Sequence, residues 1–128
     1  MRLETLNVGP VIPVSDMAAS RSFYEGMLGL QGEAAPGGYA LRAGGDTRIF
    51  LLDGTDYAGR AEWPLASFQT DDLAAAVEDL RERGVRLEIM GDGDPYRTDE
   101  RGIADLGDML IAWFRDPDDQ VISVFQLK

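Results

Sequence analysis

Two segments of the chain share one pattern of hydrophobic and polar positions. Each starts with a run of apolar residues, passes through an aspartate, and continues with apolar residues at the three- and four-residue spacing of a helix. The first run, 6–14, leads to Asp16, and the second run, 65–70, leads to Asp72. Each aspartate is placed to N-cap the helix that follows it. The expected ends of the two helices are Gly29 and Gly84.

Three strand-like runs follow each helix. In the first half they are 30–34, 39–43 and 47–52, and in the second half 85–90, 109–115 and 121–126. A Gly-Gly turn joins the last two runs of the first half, and a tight DPDD turn joins those of the second. The pattern predicts one α+β domain, residues 1–128, with βαβββ repeats over about 4–56 and 63–128. The polar segment 91–108 is predicted to be a long loop of functional importance.

The charge balance excludes some partners. The chain has 23 acidic and 12 basic residues, a net charge of −11. Nucleic acid and anionic membrane surfaces are therefore disfavoured, whereas a cationic or neutral small molecule would be tolerated or attracted. Because no apolar run is long enough to cross a bilayer and the N-terminal residues lack the layout of a signal peptide, we expect a cytoplasmic protein.

The absence of two residue types excludes several chemistries. The chain has no cysteine and no histidine. Disulfides, thiolate nucleophiles, Ser-His-Asp catalysis and zinc sites that use histidine are therefore ruled out.

Three segments resemble signatures of the vicinal-oxygen-chelate superfamily, which contains glyoxalases, bleomycin-resistance proteins and dioxygenases. VIPVSDMAASRSFYEGMLGL (11–30) resembles the signature of the first half and FQTDDLAAAVEDLRERGV (68–85) that of the second. FRDPDDQVISVFQ (114–126) resembles the closing hairpin, with Asp119 at the usual turn glycine. The resemblance implies two βαβββ units that form a curved mixed sheet, an incomplete barrel, with helices on its convex side.

Members of this family typically hold a divalent metal with His, Gln and Glu side chains on the first, fourth, fifth and eighth strands. Counting from the signatures, these positions fall at Gly9, Leu65 and Ser123, with the fourth-strand position at Phe50 or Leu52. Glycine, leucine and serine cannot replace two imidazoles and a carboxylate. We therefore predict no metal, no cofactor and no catalytic residue. The resemblance then points to the metal-free branch, whose bleomycin-resistance proteins are homodimers that bind an antibiotic between subunits without chemistry.

Strand alternation selects a candidate ligand-binding face. Residues with the parity of the vacated metal positions should line it, and Ile12, Val14, Ile122 and Val124 should pack under the helices. Trp113 lies three residues before the Asp of the DPD turn, where the family has a pocket residue. The predicted ligand-binding residues are Gly9, Val11, Phe50, Trp63, Leu65, Ser67, Tyr96, Ile111, Trp113, Ser123 and Phe125.

Several charged residues have structural alternatives. Asp16, Asp72 and Asp116 are interpreted as two helix caps and a turn former. Acidity at the ligand site would come from the loop residues Asp92, Asp94, Asp99 and Glu100, which would equally suit a solvated loop. Arg42 and Arg48 would indicate an anionic ligand if they faced the site, and surface ion pairs otherwise.

The leading functional hypothesis is a metal-free homodimer that binds and sequesters an aromatic or cationic compound, as in antibiotic resistance. One alternative is a metal-independent enzyme on the same scaffold. Another is a non-catalytic interaction or sensor module whose cavity is filled by Phe50, Leu65 and Trp113. The sequence leaves open whether each half-barrel pairs within one chain or with a second copy.

Overall fold

Two four-stranded mixed sheets form the framework of the chain. The computed structural model describes residues 2–128, so Met1, the first residue of the predicted domain, lies outside them. The first half contains β1 (Val11–Pro13), β2 (Gln31–Ala35), β3 (Gly38–Arg42) and β4 (Arg48–Leu52). The second contains β5 (Ser67–Gln69), β6 (Ala104–Asp105), β7 (Met109–Arg115) and β8 (Val121–Leu127).

The strand order is the same in both sheets. The first sheet runs β1-β4-β3-β2 and the second runs β5-β8-β7-β6. In each sheet the first and last strands of the half pair in parallel, and the remaining neighbours are antiparallel. A helix follows the first strand of each half. The prediction of two βαβββ repeats in an α+β fold is therefore confirmed.

The helices start where the aspartates predict. Helix α1 (Met17–Arg21) continues as a π-helical segment, Ser22–Met27, and α2 spans Leu73–Glu82. The carboxylate of Asp16 accepts a hydrogen bond from the Ala19 N–H at 3.1 Å, and that of Asp72 accepts one from the Ala75 N–H at 3.0 Å. Both N-cap predictions are confirmed. Within residues 2–128, every helix is too short or too polar to traverse a lipid bilayer.

The predicted strand at 85–90 is wrong. The outer edge of β7 is instead shared by two short segments. Leu87 forms a single bridge with Phe114 near one end, and β6 pairs with Leu110 and Ile111 near the other. Since β6 lies within the predicted loop 91–108, that segment folds back along the sheet. Two hydrogen bonds hold this segment against the sheet. The N–H of Thr98 donates to the carbonyl of Met90, and the hydroxyl of Thr98 accepts from the N–H of Met90.

The first strand is much shorter than the predicted run 6–14. Only Val11–Pro13 pairs with β4, and Leu3–Thr5 forms a 3-10 turn instead. Pro10 and Pro13 lack the N–H that a longer ladder would need. As a result Gly9, the expected first-strand metal position, precedes the strand.

One hydrophobic core joins the two halves. Side chains from both sheets and both helices belong to a single buried cluster. The predicted core residues Ile12, Val14, Ile122 and Val124 are all buried in it, which confirms the strand alternation. The opposite side of each sheet, which we call its open face, is left without a helix to cover it.

A buried polar contact also links the halves. Tyr24 has no solvent exposure, and its hydroxyl donates to Oδ2 of Asp116 at 2.7 Å. Oδ1 of the same carboxylate accepts from the backbone N–H groups of Asp118 and Gln120. Burial raises the pKa of Asp116, while these donors favour its ionised form. Asp116 is thus a turn former, as predicted, and also a partner of the first helix.

The turn after Asp116 has the backbone expected from the sequence. Asp119 adopts φ 62°, a left-handed conformation that glycine adopts most readily. Its N–H donates to the Asp116 carbonyl at 2.9 Å, so the hairpin closes normally.

Candidate functional site

The open face of the second sheet carries five of the eleven predicted ligand-binding residues. Trp113 lies opposite Ser123, which lies opposite Ser67 on the edge strand. In the next row Ile111 lies opposite Phe125. The strand alternation thus places these five side chains on one face, as the sequence predicts.

A groove of about 720 Å³ crosses the outer part of this face. Its size is within the range of small-molecule sites. We call it the aromatic groove; its lining residues are Glu62, Trp63, Pro64, Glu88, Ile89, Met90, Asp94, Pro95, Tyr96, Leu106, Met109, Ile111, Trp113, Arg115 and Val121. Four of the predicted ligand-binding residues meet there: Trp63, Tyr96, Ile111 and Trp113.

The three aromatic side chains of this groove differ in accessibility. Trp113 is only 6% exposed, because it packs with Ala104 and Val121 and the ring of Tyr96 stacks on it at 5.3 Å and 21°. Trp63 is 64% exposed and Tyr96 is 47% exposed. The aromatic surface offered to a ligand therefore comes chiefly from Trp63 and Tyr96, with Trp113 as the support beneath.

Few of the expected acidic residues reach the groove. Of the four loop carboxylates, Asp94 lines it, together with Glu62 from the segment before β5. Asp92 pairs with Arg97 at 3.0 Å on an exposed surface. Burial opposes the ionisation of Asp99, but the N–H of Ile103 and the guanidinium of Arg101 outweigh it and lower its pKa. Asp92 and Asp99 therefore interact within the loop itself and do not line the groove.

A further carboxylate of the groove, Glu88, is neutralised by a neighbour. It forms an ion pair with the guanidinium of Arg115, which also donates to the carbonyl of Asp119. Of the carboxylates that line the aromatic groove, Glu62 and Asp94 form no ion pair with any of residues 2–128, so they supply its negative charge.

The positions that correspond to metal ligands do not fit a divalent cation. A Cβ atom at Gly9 would overlap the carbonyl oxygen of Arg48, so the backbone leaves no room for a ligating side chain. The hydroxyl groups of Ser67 and Ser123 form a hydrogen bond with each other at 2.6 Å. The side chain of Leu65 has no atom that could coordinate a metal. Among residues 2–128, no three Asp or Glu side chains cluster in a way that could hold a metal.

The structure does not bring the predicted residues into one cavity. Leu65 and Ser67 line a second groove of about 510 Å³, at the edge of the second sheet nearest to β4. We call it the seam groove; its lining residues are Val8, Pro10, Ala43, Gly44, Thr47, Arg48, Ile49, Leu65, Ala66, Ser67, Phe68 and Gln69. Gly9 and Phe50 line a smaller depression of about 250 Å³. The remaining predicted residues, Val11, Ser123 and Phe125, lie outside these three depressions.

Some lining residues of the aromatic groove were missed by the sequence reasoning. Ile89, Met90 and Leu106 border it, and Ile89 is 60% exposed. Ile89 and Met90 precede the loop 91–108 and Leu106 lies within it, so the wrong assignment of the sixth strand concealed them. The apolar pair Ile89-Met90 beside a long polar loop is the signal that could have identified them.

Comparisons with known proteins agree with this architecture. The chain is 26% identical to TnmS3, an antibiotic binding protein from Streptomyces sp. CB03234, over 96% of this chain and 98% of that one, with a TM-score of 0.66. It is 28% identical to VPC_CASS1 from the mobile metagenome of V. Pseudocholerae, over 96% and 95% of the chains, with a TM-score of 0.62. The fosfomycin resistance protein FosX from Listeria monocytogenes shares the fold at 14% identity and a TM-score of 0.65, over 95% and 93%.

No curated protein matches the chain significantly. The model of one family, described as the Glyoxalase/Bleomycin resistance protein/Dioxygenase superfamily, matches residues 7–124. This match covers most of the 128 residues, and the two βαβββ repeats are those of the solved relatives. The chain therefore belongs to the glyoxalase/bleomycin resistance protein/dioxygenase superfamily.

Proposed function

We propose that this protein is a metal-free homodimer that binds and sequesters a small aromatic or cationic compound in the aromatic groove. The observation that carries the proposal is the groove itself: about 720 Å³ in volume, with Trp63 and Tyr96 accessible and two free carboxylates at its border. An aromatic face that contacts a ligand cation contributes about 0.5–2 kcal/mol. The similarity to an antibiotic binding protein supports the same class of function.

Binding without a metal follows from the residues at the ligand positions. The Gly9 backbone excludes a side chain, and the two serine hydroxyls satisfy each other. We expect that protein stripped with a chelator gains no thermal stability from Zn²⁺, Mn²⁺, Ni²⁺ or Fe²⁺. A stabilisation that saturates at one equivalent of any of these ions would contradict this part of the proposal.

Intrinsic fluorescence provides a direct binding assay. The chain has two tryptophans, and both line the aromatic groove. Titration with bleomycin and with a mitomycin-like quinone should quench this emission in a saturable way. At about 100 times the dissociation constant, the same ligand should stabilise the protein by about 2.7 kcal/mol.

The variant Trp63→Ala separates binding from folding. Trp63 is mostly exposed, so its loss should weaken ligand binding about tenfold, the equivalent of about 1.4 kcal/mol, and leave the melting temperature nearly unchanged. Calorimetry measures this affinity without the fluorophore. The matched control is Tyr57→Ala, since Tyr57 is 66% exposed and lies outside the groove. Equal affinity of Trp63→Ala and the unaltered protein would refute the assignment of the groove.

The recovered ligand distinguishes sequestration from catalysis. We expect bleomycin or the quinone to be released unchanged in mass after prolonged incubation with the protein. Conversion of either compound would instead support the metal-independent enzyme. The third alternative, a filled cavity, expects Phe50, Leu65 and Trp113 to close one site, but Trp113 lines a groove that shares no residue with the depressions lined by Phe50 and Leu65.

Dimerisation is proposed from the open faces of the sheets. They and their borders expose large apolar side chains, among them Val11, Ile89 and Leu127. Apolar surface of this kind on a soluble domain is typical of an interface. Sedimentation equilibrium should give about twice the mass of the chain, and a monomer at micromolar concentration would contradict the proposal.

A further inference from the structure

The open face of the first sheet carries two arginines side by side. Arg42 on β3 lies directly opposite Arg48 on β4. The N–H of Ala43 donates to the carbonyl of Thr47, so the adjacent arginine pair is of the type without mutual hydrogen bonds, with Cα atoms about 4.5 Å apart. Their neighbours Leu41 and Ile49 are buried in the core, and both arginines therefore project from the open face.

In the part of the chain that the structure describes, no acidic side chain forms an ion pair with either arginine. Seven of the twelve basic residues form ion pairs within residues 2–128, but neither Arg42 nor Arg48 is among them. Asp46 in the turn and Glu33 on the same face are more than 4.0 Å from either guanidinium.

The other contacts of the pair leave its charge uncompensated. Within residues 2–128, Arg42 donates only to the neutral amide of Gln31, at 3.4 Å. Like charges directly opposite each other destabilise a sheet. In a chain with 23 acidic residues, this uncompensated pair indicates that the counter-charge is an external anion.

The residues around Arg48 indicate which kind of anion would bind. Arg48 lines the seam groove, whose volume is about 510 Å³. Much of the wall is apolar, from Val8, which is 93% exposed, Pro10 and Leu65, and Ser67 adds one hydroxyl. A bare inorganic ion would leave this apolar wall uncovered. A small apolar molecule with an anionic end would cover the wall and meet the arginines.

We infer that Arg42, Arg48 and the seam groove form a second binding site, for a small apolar molecule that bears a carboxylate. The planar guanidinium groups match the two oxygens of a carboxylate, and charge-assisted hydrogen bonds of this kind are the strongest available on a protein surface. The site is separate from the aromatic groove: the two share no lining residue. Its ligand can therefore be tested separately from the ligand of the aromatic groove, and sedimentation tests whether a second copy of the chain covers the same face.

The test is a titration of the ¹⁵N-labelled protein with sodium benzoate, followed by NMR. The probes are the Nε–H signals of the two arginines and the amide signals of Gly44 and Thr47, which line the groove. Inorganic phosphate, titrated separately, supplies an oxyanion without an apolar part, and sodium chloride controls for ionic strength. Benzoate should shift these signals in a saturable way, with a dissociation constant of about 1 mM, and phosphate should bind more weakly.

Three glutamine variants locate the site. Arg42→Gln and Arg48→Gln should each weaken benzoate binding about tenfold. Because each variant removes one of two repelling charges, neither should lower the melting temperature. Arg86→Gln is the matched control, since Arg86 is exposed, forms no ion pair within residues 2–128 and lies outside the groove. It should bind benzoate like the unaltered protein.

Four results would overturn the inference. They are shifts that never saturate, arginine variants that both bind benzoate as tightly as the unaltered protein, phosphate affinity that exceeds that of benzoate, and shifts confined to the indole signals of the aromatic groove. Sedimentation adds a fifth. If the arginine variants dissociate into monomers while their benzoate affinity is unchanged, the arginines bind a second copy of the chain.

Discussion

The substitution Tyr24→Phe removes a single oxygen atom from the contact that joins the two halves. The hydroxyl of Tyr24 donates at 2.7 Å to Asp116, whose side chain lies among core residues and is 4% exposed. No other donor reaches Oδ2 of that carboxylate within residues 2–128, since the two backbone N–H groups bind Oδ1. The variant therefore leaves a buried, charged oxygen without its hydrogen bond.

The expected loss of stability follows from that geometry. A hydrogen bond to a charged group contributes about 1.5–3 kcal/mol to the free energy of unfolding. An unfolding entropy of about 2.1 cal/mol/K per residue corresponds, for a chain of this length, to a change of about 4 °C per kcal/mol. The melting temperature of Tyr24→Phe should therefore fall by about 6–11 °C, as measured by calorimetry.

The same contact predicts a dependence on pH. Burial raises the pKa of Asp116 above its ordinary value of 3.8, and the Tyr24 hydroxyl limits the rise. The native state therefore holds this proton more tightly than the unfolded state, and this group reduces stability as pH rises from the ordinary pKa through the raised one. In Tyr24→Phe the pKa of Asp116 is higher still, so the reduction is larger. The stability gap between the two proteins should widen as pH rises from the ordinary pKa of 3.8 towards neutrality, as measured in urea titrations.

Asp116→Asn provides the control. The amide can still accept the two backbone hydrogen bonds through its oxygen and can donate to the Tyr24 oxygen, but it carries no charge. In the Asp116→Asn background, Tyr24→Phe should cost about 1 kcal/mol, with no dependence on pH. A loss below about 0.5 kcal/mol in the unaltered background, or a gap that narrows as pH rises, would refute the assignment of a buried carboxylate that depends on Tyr24.

Substitutions at three further positions test local features by urea denaturation. Gly9→Ala should destabilise the protein by at least 1 kcal/mol, because the new methyl group overlaps the Arg48 carbonyl; an unchanged midpoint would show that a side chain can fit at this position. Asp72→Ala should cost about 1 kcal/mol through loss of the N-cap bond, and a cost near zero would mean that the cap is dispensable. Asp119→Gly should be about 1 kcal/mol more stable than Asp119→Ala, since φ is 62° there, and the reverse order would contradict the left-handed backbone.

The features that could be predicted from the sequence depend on short local patterns of residues. The repeat, the helix starts at Asp16 and Asp72, and the turn at Asp119 each depend on residues within a few positions of one another. Strand alternation correctly assigned Ile12, Val14, Ile122 and Val124 to the buried face. It did so because side chains in a strand alternate between its faces whatever lies beyond the sheet.

Only the tertiary structure decided that the predicted ligand-binding residues lie in more than one groove. The edge of β7 could accept either of two segments, and long-range packing assigned it partly to Leu87 and partly to β6. The position of Tyr96 on Trp113 and the separation of the aromatic and seam grooves follow from that choice. Contacts between residues far apart in the chain depend on how whole helices and strands pack. The hydrophobic pattern of a segment specifies which of its faces is buried, but it does not specify which neighbouring element covers that face.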